Sequence, residues 1–204
     1  MYLPPNMQMN DKARIAAFIN RYNFAVLMSS DLQVTHLPLL FQENADGHAI
    51  LLGHMAKANR HWQVMNDQRV TAVFTGPHSY ISPTWYQSQP NAPTWNYAAV
   101  QCCGTFSRLD EDATRDAVMQ LVAHQEPEIS QDPPYWPEEY IQRLIKAVVG
   151  FTIQVDDIQA KEKLGQHKTH ADQTGVYTAL QHTPNLSAQK LAAYMREAQK
   201  GIGK

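Results

Sequence analysis

The spacing of apolar positions changes several times along the chain. Ile15, Phe18, Ile19 and Tyr22 recur at helical intervals behind Asp11, a suitable capping residue, so residues 11–22 read as an amphipathic helix. From Phe24 the period shortens. Residues 24–28 and 34–41 are short apolar runs, the second broken by Pro38; Asn44-Ala45-Asp46-Gly47 has turn chemistry, and residues 49–52 follow as a third strand. Residues 69–74 alternate around Val70, Ala72 and Phe74 and end at Gly76-Pro77, and residues 97–106 make a further strand. Short strands separated by turns, without a helix between each pair, predict an antiparallel barrel rather than a parallel sheet.

Helical spacing returns between and after these strands. Residues 56–65 form a short piece. A longer one begins at Asp110, with Ala117, Val118, Leu121 and Val122 on one side, and ends near Pro127. Pro137 suits the first residue of the next, whose stripe is Tyr140, Ile141, Leu144, Ile145 and Val148. Residues 149–155 revert to strand, with Phe151, Ile153 and Val155 on one face, and residues 161–170 are polar and irregular. Two helices close the chain, at 171–181 and 187–199, joined by His182-Thr183-Pro184-Asn185. There is no internal repeat and no low-complexity segment. The expected architecture is mainly β with α: a barrel domain over residues 1–165, surrounded by helices, and a helical C-terminal appendage over residues 166–204.

Composition narrows the class. The 204 residues carry 17 Lys and Arg against 19 Asp and Glu, for a formal charge of −2, which argues against a strongly basic nucleic-acid binder. With 44% hydrophobic residues, the chain can bury a core without disulfides or metals. No apolar run approaches the ~20 residues that span a bilayer, and Met1-Tyr2-Leu3-Pro4-Pro5 lacks the regions of a signal peptide. Cys102 and Cys103 are adjacent, and in a strand they point to opposite faces, giving one core thiol and one half-exposed thiol. This usage fits a reducing compartment and predicts a cytoplasmic protein.

Common chemistries are missing from the sequence. The nine histidines include pairs seven apart (His54, His61) and three apart (His167, His170), but there is no His-Glu-x-x-His, and nothing resembles a Gly-x-Ser-x-Gly elbow, a Rossmann turn or a P-loop. The central third is distinctive instead. Gly53 to Trp62 leaves a strand and carries Lys57, Asn59, Arg60 and His61, a point charge and neutral donors suited to a phosphate at a helix start. Tyr80 to Tyr97 interleaves two Trp and three Tyr with Ser, Thr, Asn and Pro, which suits the wall of a site for a flat heteroaromatic ligand. An aromatic barrel corner or a subunit interface would carry the same residues.

These stretches resemble the PaiB-type family of FMN-binding proteins, described as negative transcriptional regulators. The resemblance runs from the opening Met-Tyr-x-Pro-Pro through Thr35-His36-Leu37-Pro38-Leu39-Leu40, Gly-His-x-Ala-x-x-Asn at 53–59 and Gly-Pro-His-x-Tyr-Ile-Ser-Pro-x-Trp-Tyr at 76–86. It continues with Pro-Thr-Trp-Asn-Tyr at 93–97, Val149-Gly150-Phe151, and Lys-x-Lys-Leu at 161–164, so it covers nearly the whole chain. It implies an antiparallel split β-barrel of the flavin reductase and pyridoxamine-phosphate oxidase type, with FMN held at a homodimer interface. By that resemblance His36 gives a phosphate or ring contact, and His54, Lys57 and Asn59 are phosphate donors. Tyr80 and Ser82 line the isoalloxazine, Thr94, Trp95 and Asn96 come from the partner subunit, and Lys163 and Gln166 close the site. The chain departs from relatives at Glu162, Gly165 and His167, where they commonly have Trp, Ser and Asn, and at Gln101, where a His is expected; these losses predict weaker FMN retention.

The resemblance implies a regulator. DNA is a further partner to weigh, because the last helix carries Lys190, Arg196, Lys200 and Lys204 against Glu197, and two short helices meeting at Pro184 imitate a helix-turn-helix. An amphipathic helix packed on the barrel explains the same residues. The alternative is a flavin-dependent oxidoreductase, in which His78 and Tyr80 are candidate proton donors. A third reading is a haem-binding split barrel.

Overall fold

The computed structural model describes residues 1–44, 46–129 and 135–204. Among them the order is α1 (Lys12–Arg21), β1 (Phe24–Met28), β2 (Val34–Glu43), β3 (Ala49–Ala56), α2 (His61–Met65), β4 (Arg69–Ile81), β5 (Thr94–Arg108), α3 (Glu111–Gln125), α4 (Glu138–Lys146), β6 (Val148–Lys163), α5 (His170–His182) and α6 (Leu186–Ala198). The six strands close a barrel in the order β1-β2-β3-β6-β5-β4, with antiparallel ladders β1–β2, β1–β4, β2–β3 and β3–β6. Among the described residues no helix is long and apolar enough to cross a membrane.

Helix starts follow local side-chain chemistry. Asp11 Oδ1 accepts from Arg14 N, Asp110 Oδ1 from Ala113 N, Thr169 Oγ1 from Asp172 N, and Asn185 Oδ1 from Ser187 N and Ala188 N. Pro137 stands one position earlier than its sequence suggested, as the cap of α4.

Several strands outrun their sequence-based bounds. Pro38 does not break β2: it pairs with Phe24 at the last rung toward β1, and the ladder toward β3 begins at Leu39. The missing N–H therefore falls where pairing passes from one neighbour to the other. Gly76-Pro77 does not end β4, whose register with β1 covers only Thr71 to Val73, so the proline interrupts no rung of that ladder. Residues 161–163 are strand rather than irregular: Lys161 bridges to Gln8, and Glu162 is paired with Arg14 and Lys200. The turn at Asn44 is described except for Ala45, and its Asn44 side chain accepts from Asp46 N and His48 N.

The chain forms two compact units. The first comprises Met1–Ile15, Thr75–Val100 and Gln159–Lys204. In it, α5 and α6 bury Val176, Leu180, Leu191 and Met195, and Asp172 accepts from both the N–H and the hydroxyl of Ser88. The second comprises Ala16–Phe74 and Gln101–Ile158. Its centre is built from Leu27, Leu39, Leu51, Phe74, Phe106 and Phe151, with the rings of Phe106 and Phe151 stacked 4.5 Å apart. Gly53 lets Leu39 and Phe151 close over β3, because a Cβ there would stand 2.5 Å from one and 2.7 Å from the other. On the outer side, α3 lays Ala117 and Leu121 on Leu40 and Leu52. Cys102 is buried and Cys103 half-buried, as their alternation on β5 requires.

Candidate functional site

In the second unit the segment after β3 is a turn, and only its end is helical. Ala56 still pairs with Val148, Lys57 N donates to Ala147 O at 2.9 Å, and Asn59 N donates to Ala56 O at 2.9 Å. The expected helix over 56–65 is thus reduced to α2, and Lys57 and Asn59 stand in the connection before it. Lys57 shares a cavity of about 230 Å³ with Arg108, Lys146, Trp62 and Asp110. Trp62 Nε1 donates to Lys57 O at 3.1 Å, and the Arg108 guanidinium lies 5.6 Å from the Trp62 ring centroid.

A directed hydrogen-bond chain holds Asn59. Ser29 donates its hydroxyl hydrogen to Asp31, so its oxygen accepts from His61 Nε2, 2.7 Å away. This network assigns the Nε2–H tautomer, and His61 Nδ1 accepts from Thr35 Oγ1 at 2.8 Å. Thr35 accepts from Asn59 Nδ2 at 3.1 Å, and Asn59 Oδ1 accepts from His61 N at 3.1 Å. One amide hydrogen of Asn59 is left over. Burial lowers the pKa of His61, with the Asp31 charge opposing it, so the neutral ring the network needs is favoured.

His54, on β3, has its Nδ1 buried without a partner among the described residues, and burial lowers its pKa. His36 is exposed on β2, its ring stacked 6.3 Å from Phe24.

In the first unit, His78 and Tyr80 on β4 and Trp95 on β5 form an open aromatic face. Trp95 is 52% exposed and Tyr80 46%, with the Trp95 ring 5.6 Å from His78 and 6.4 Å from Tyr80. Beside it, Lys163 Nζ donates to Thr94 Oγ1. Lys161 is buried; it donates to Tyr2 O at 2.8 Å and lies 5.2 Å from the Tyr2 ring centroid and 5.5 Å from that of Tyr97. His167 has its pKa lowered by burial and by the charges of Lys168 and Lys163. Other expected site residues are engaged by the chain itself. Ser82 caps the turn at Pro83–Trp85, accepting from Thr84 N, and Asn96 is buried, with its amide 3.5 Å from the position a Cβ on Gly165 would take. Gln166 donates to Asn6 O and Glu162 O and accepts from Leu164 N.

The eleven candidate residues therefore divide between the units. His36, His54, Lys57 and Asn59 lie in one; Tyr80, Ser82, Thr94, Trp95, Asn96, Lys163 and Gln166 lie in the other. Sequence reading grouped His61 with the donors around Lys57 and Lys161 with the Lys-x-Lys-Leu segment but gave neither a site role; His61 orients Asn59 from two positions away, and Lys161 shares a strand face with Lys163 at the i, i+2 spacing.

A closed antiparallel barrel with flanking helices is the split-barrel fold. Flavocytochrome Anf3 from Azotobacter vinelandii matches with a TM-score of 0.59 over 78% of this chain and 70% of that one, at 13% identity. The FAD and heme binding protein from Mycobacterium smegmatis gives 0.59 over 78% and 74%, at 14% identity; at this level the likeness is one of fold. The chain belongs to the family described as "Putative FMN-binding domain", whose model matches residues 1–157. It is 32% identical over 204 residues, 97% of each chain, to the protease synthase and sporulation protein PAI 2 of Bacillus subtilis (strain 168). It is also 27% identical to the uncharacterized protein AN0679 of Emericella nidulans, over 81% of this chain and 82% of that one.

The residues present fit FMN. Its phosphate needs cationic and neutral donors, and its ring needs a flat apolar wall. Within the second unit, Lys57, Asn59 and His54, whose Nδ1 has no partner among the described residues, are groups of the first kind; within the first unit, the exposed Trp95–Tyr80 face is of the second. When bound, FMN supplies a ring that carries one or two electrons.

Proposed function

We propose that this chain is a PaiB-type FMN-binding regulator that holds FMN at a homodimer interface. The observation that carries this reading is the open face of His78, Tyr80 and Trp95 beside Lys163, aromatic surface left to solvent next to a cation. Tyr80 and Ser82 line the ring. Lys57, Asn59 and His54 hold the phosphate, with His36 as a ring or phosphate contact. Thr94, Trp95 and Asn96 reach the ligand from the partner subunit, and Lys163 and Gln166 close over it. Residues 1–165 carry the cofactor and residues 166–204 form the appendage. The two free thiols suit a cytoplasmic setting.

Exposed apolar residues on β1 and β2 support a dimer: Phe24 is 67% and Val34 48% exposed, with Val26 and Met28 half-buried on the same face of β1. The regulatory role rests on the family, and the name of the Bacillus relative ties that protein to protease synthesis and sporulation. Direct DNA contact would fall to Lys190 and Arg196, because Lys200 is already paired with Glu162.

Reconstitution with FMN, followed by desalting, absorbance and sedimentation, tests this reading. A dimer that keeps a flavin spectrum, lost in Lys57→Ala and Trp95→Ala, supports it. A colourless monomer overturns it. A gel-shift series across salt concentrations tests DNA contact, whose signature is a steep loss of affinity with salt.

A further inference from the structure

Lys161 is 5% exposed, yet no carboxylate among the described residues lies within ion-pairing distance of it. Its ammonium has three hydrogens, and one acceptor is in place, the Tyr2 carbonyl at 2.8 Å. The ring faces of Tyr2 and Tyr97, at 5.2 and 5.5 Å, offset part of the cost of burying the charge but do not neutralise it. Buried charges in folded proteins are otherwise paired, and this one has no counter-charge among the described residues. Lys163, two residues on and on the same strand face, donates to a neutral hydroxyl, that of Thr94, and likewise has no carboxylate. On the opposite face Glu162 is shared by Arg14 and Lys200, so the carboxylate between the two lysines is already taken by two cations. Positive charge thus accumulates around the end of β6; the pKa of His167 is lowered first by burial and then by the charges of Lys168 and Lys163.

We propose that Lys161 and Lys163 form an oxyanion site at the end of β6, flanked by Tyr97 and Thr94 and roofed by Tyr2, that takes a phosphomonoester dianion. Two like charges at i, i+2 match a dianion, and an ammonium binds phosphate as a point charge. The site uses neither Lys57 nor Asn59. Its phosphate comes either from the flavin itself, in which case these lysines hold it in place of Lys57 and Asn59, or from a separate phosphorylated ligand.

Inorganic phosphate is the first probe, titrated by calorimetry into flavin-free protein, with the pKa of His167 followed by NMR. Phosphate bound at Lys163 offsets one of the charges that lower the His167 pKa, so phosphate raises it; lysines with only a structural role give no such phosphate-dependent rise. Lys161→Met weakens phosphate binding about tenfold or more, the loss of one charge-assisted hydrogen bond, and abolishes the His167 response. Lys161→Arg retains both, and Lys57→Ala leaves the His167 response intact. If Lys161→Met does not fold, Lys163→Met and Lys161→Arg carry the same comparison. FMN and riboflavin then distinguish the source. Lys161→Met weakening FMN but not riboflavin assigns the flavin's own phosphate; loss of inorganic phosphate with both flavins unaffected assigns a separate ligand. Wild-type protein that takes up no flavin but binds phosphate with the His167 response fails the flavin reading alone. A Lys161→Met protein that binds phosphate like wild type, or a wild type with no His167 response, overturns the site.

Discussion

Lys200 Nζ stands 2.7 Å from Glu162 Oε2, tying the end of the chain to the last strand. The same carboxylate, fully buried, accepts from Arg14 and from the Tyr194 hydroxyl, so α1, α6 and β6 meet on one side chain. Tyr194, buried and bonded to that carboxylate, has its pKa pushed up.

Glu162→Ala removes the shared anion and leaves two cations beside a buried space. Removing one partner of a buried ion pair costs about 3–5 kcal/mol, and the low end applies because Arg14 and Lys200 are 32% and 33% exposed and can turn to water. Denaturant unfolding should show a loss of about 3 kcal/mol, with Lys200→Met losing less. Equal, small effects from both variants would mean that the cluster contributes little.

Acid should destabilise the protein through three histidines, His61 buried, His54 half-buried and His167 at the surface. His54, His61 and His167 each have a pKa lowered by burial from the ordinary 6.5, so the unfolded chain binds the proton more readily. Their contribution is complete above the unfolded value and is lost as pH falls from about 6.5 through the folded values. Denaturation midpoints at a series of pH values should fall below about 6.5, and His61→Gln should flatten part of that slope.

The barrel was legible in the sequence, and so was the Asp11 cap of the first helix, because alternation, helical stripes and Asp capping are local signals; the Thr169 and Asn185 caps were not read. What was hidden depends on neighbours distant in sequence. Pro38 looks like a strand breaker until Phe24 and Gly53 show that it sits between two ladders. Glu162 reads as a lost aromatic in an irregular segment; its partners Arg14, Tyr194 and Lys200 come from both ends of the chain. Lys57 looked helical because Ala56 to Met65 has good helix formers, but pairing of Ala56 with Val148 extends the strand instead. The aromatic face of Tyr80 and Trp95 was visible as composition, whereas the chain from Asp31 through His61 to Asn59 needed coordinates.

Gly53→Ala would press a methyl into Leu39 and Phe151, both fully buried. Overpacking a filled core costs about 1–3 kcal/mol, and a fall in the denaturant midpoint of that size is expected. An unchanged midpoint would show that Leu39 can move aside freely.

Thiol reagents should separate Cys102 from Cys103. Burial holds the Cys102 thiol up at about 12, so it has almost no thiolate at neutral pH, while Cys103 is half-buried beside the Thr71 hydroxyl. Native protein should react at Cys103 alone, and both thiols should react once it is unfolded; mass mapping of the label checks this.

The most direct measurement is fluorescence of the protein titrated with FMN, for wild type and Trp95→Phe. A flavin ring on the Trp95 face should quench wild-type emission saturably, with most of that quenching gone in Trp95→Phe. Trp95→Ala should bind FMN about tenfold more weakly, the worth of one aromatic contact. Saturable FMN binding with quenching unchanged in Trp95→Phe would put the flavin elsewhere, and no quenching at any FMN concentration would contradict a flavin site on this face.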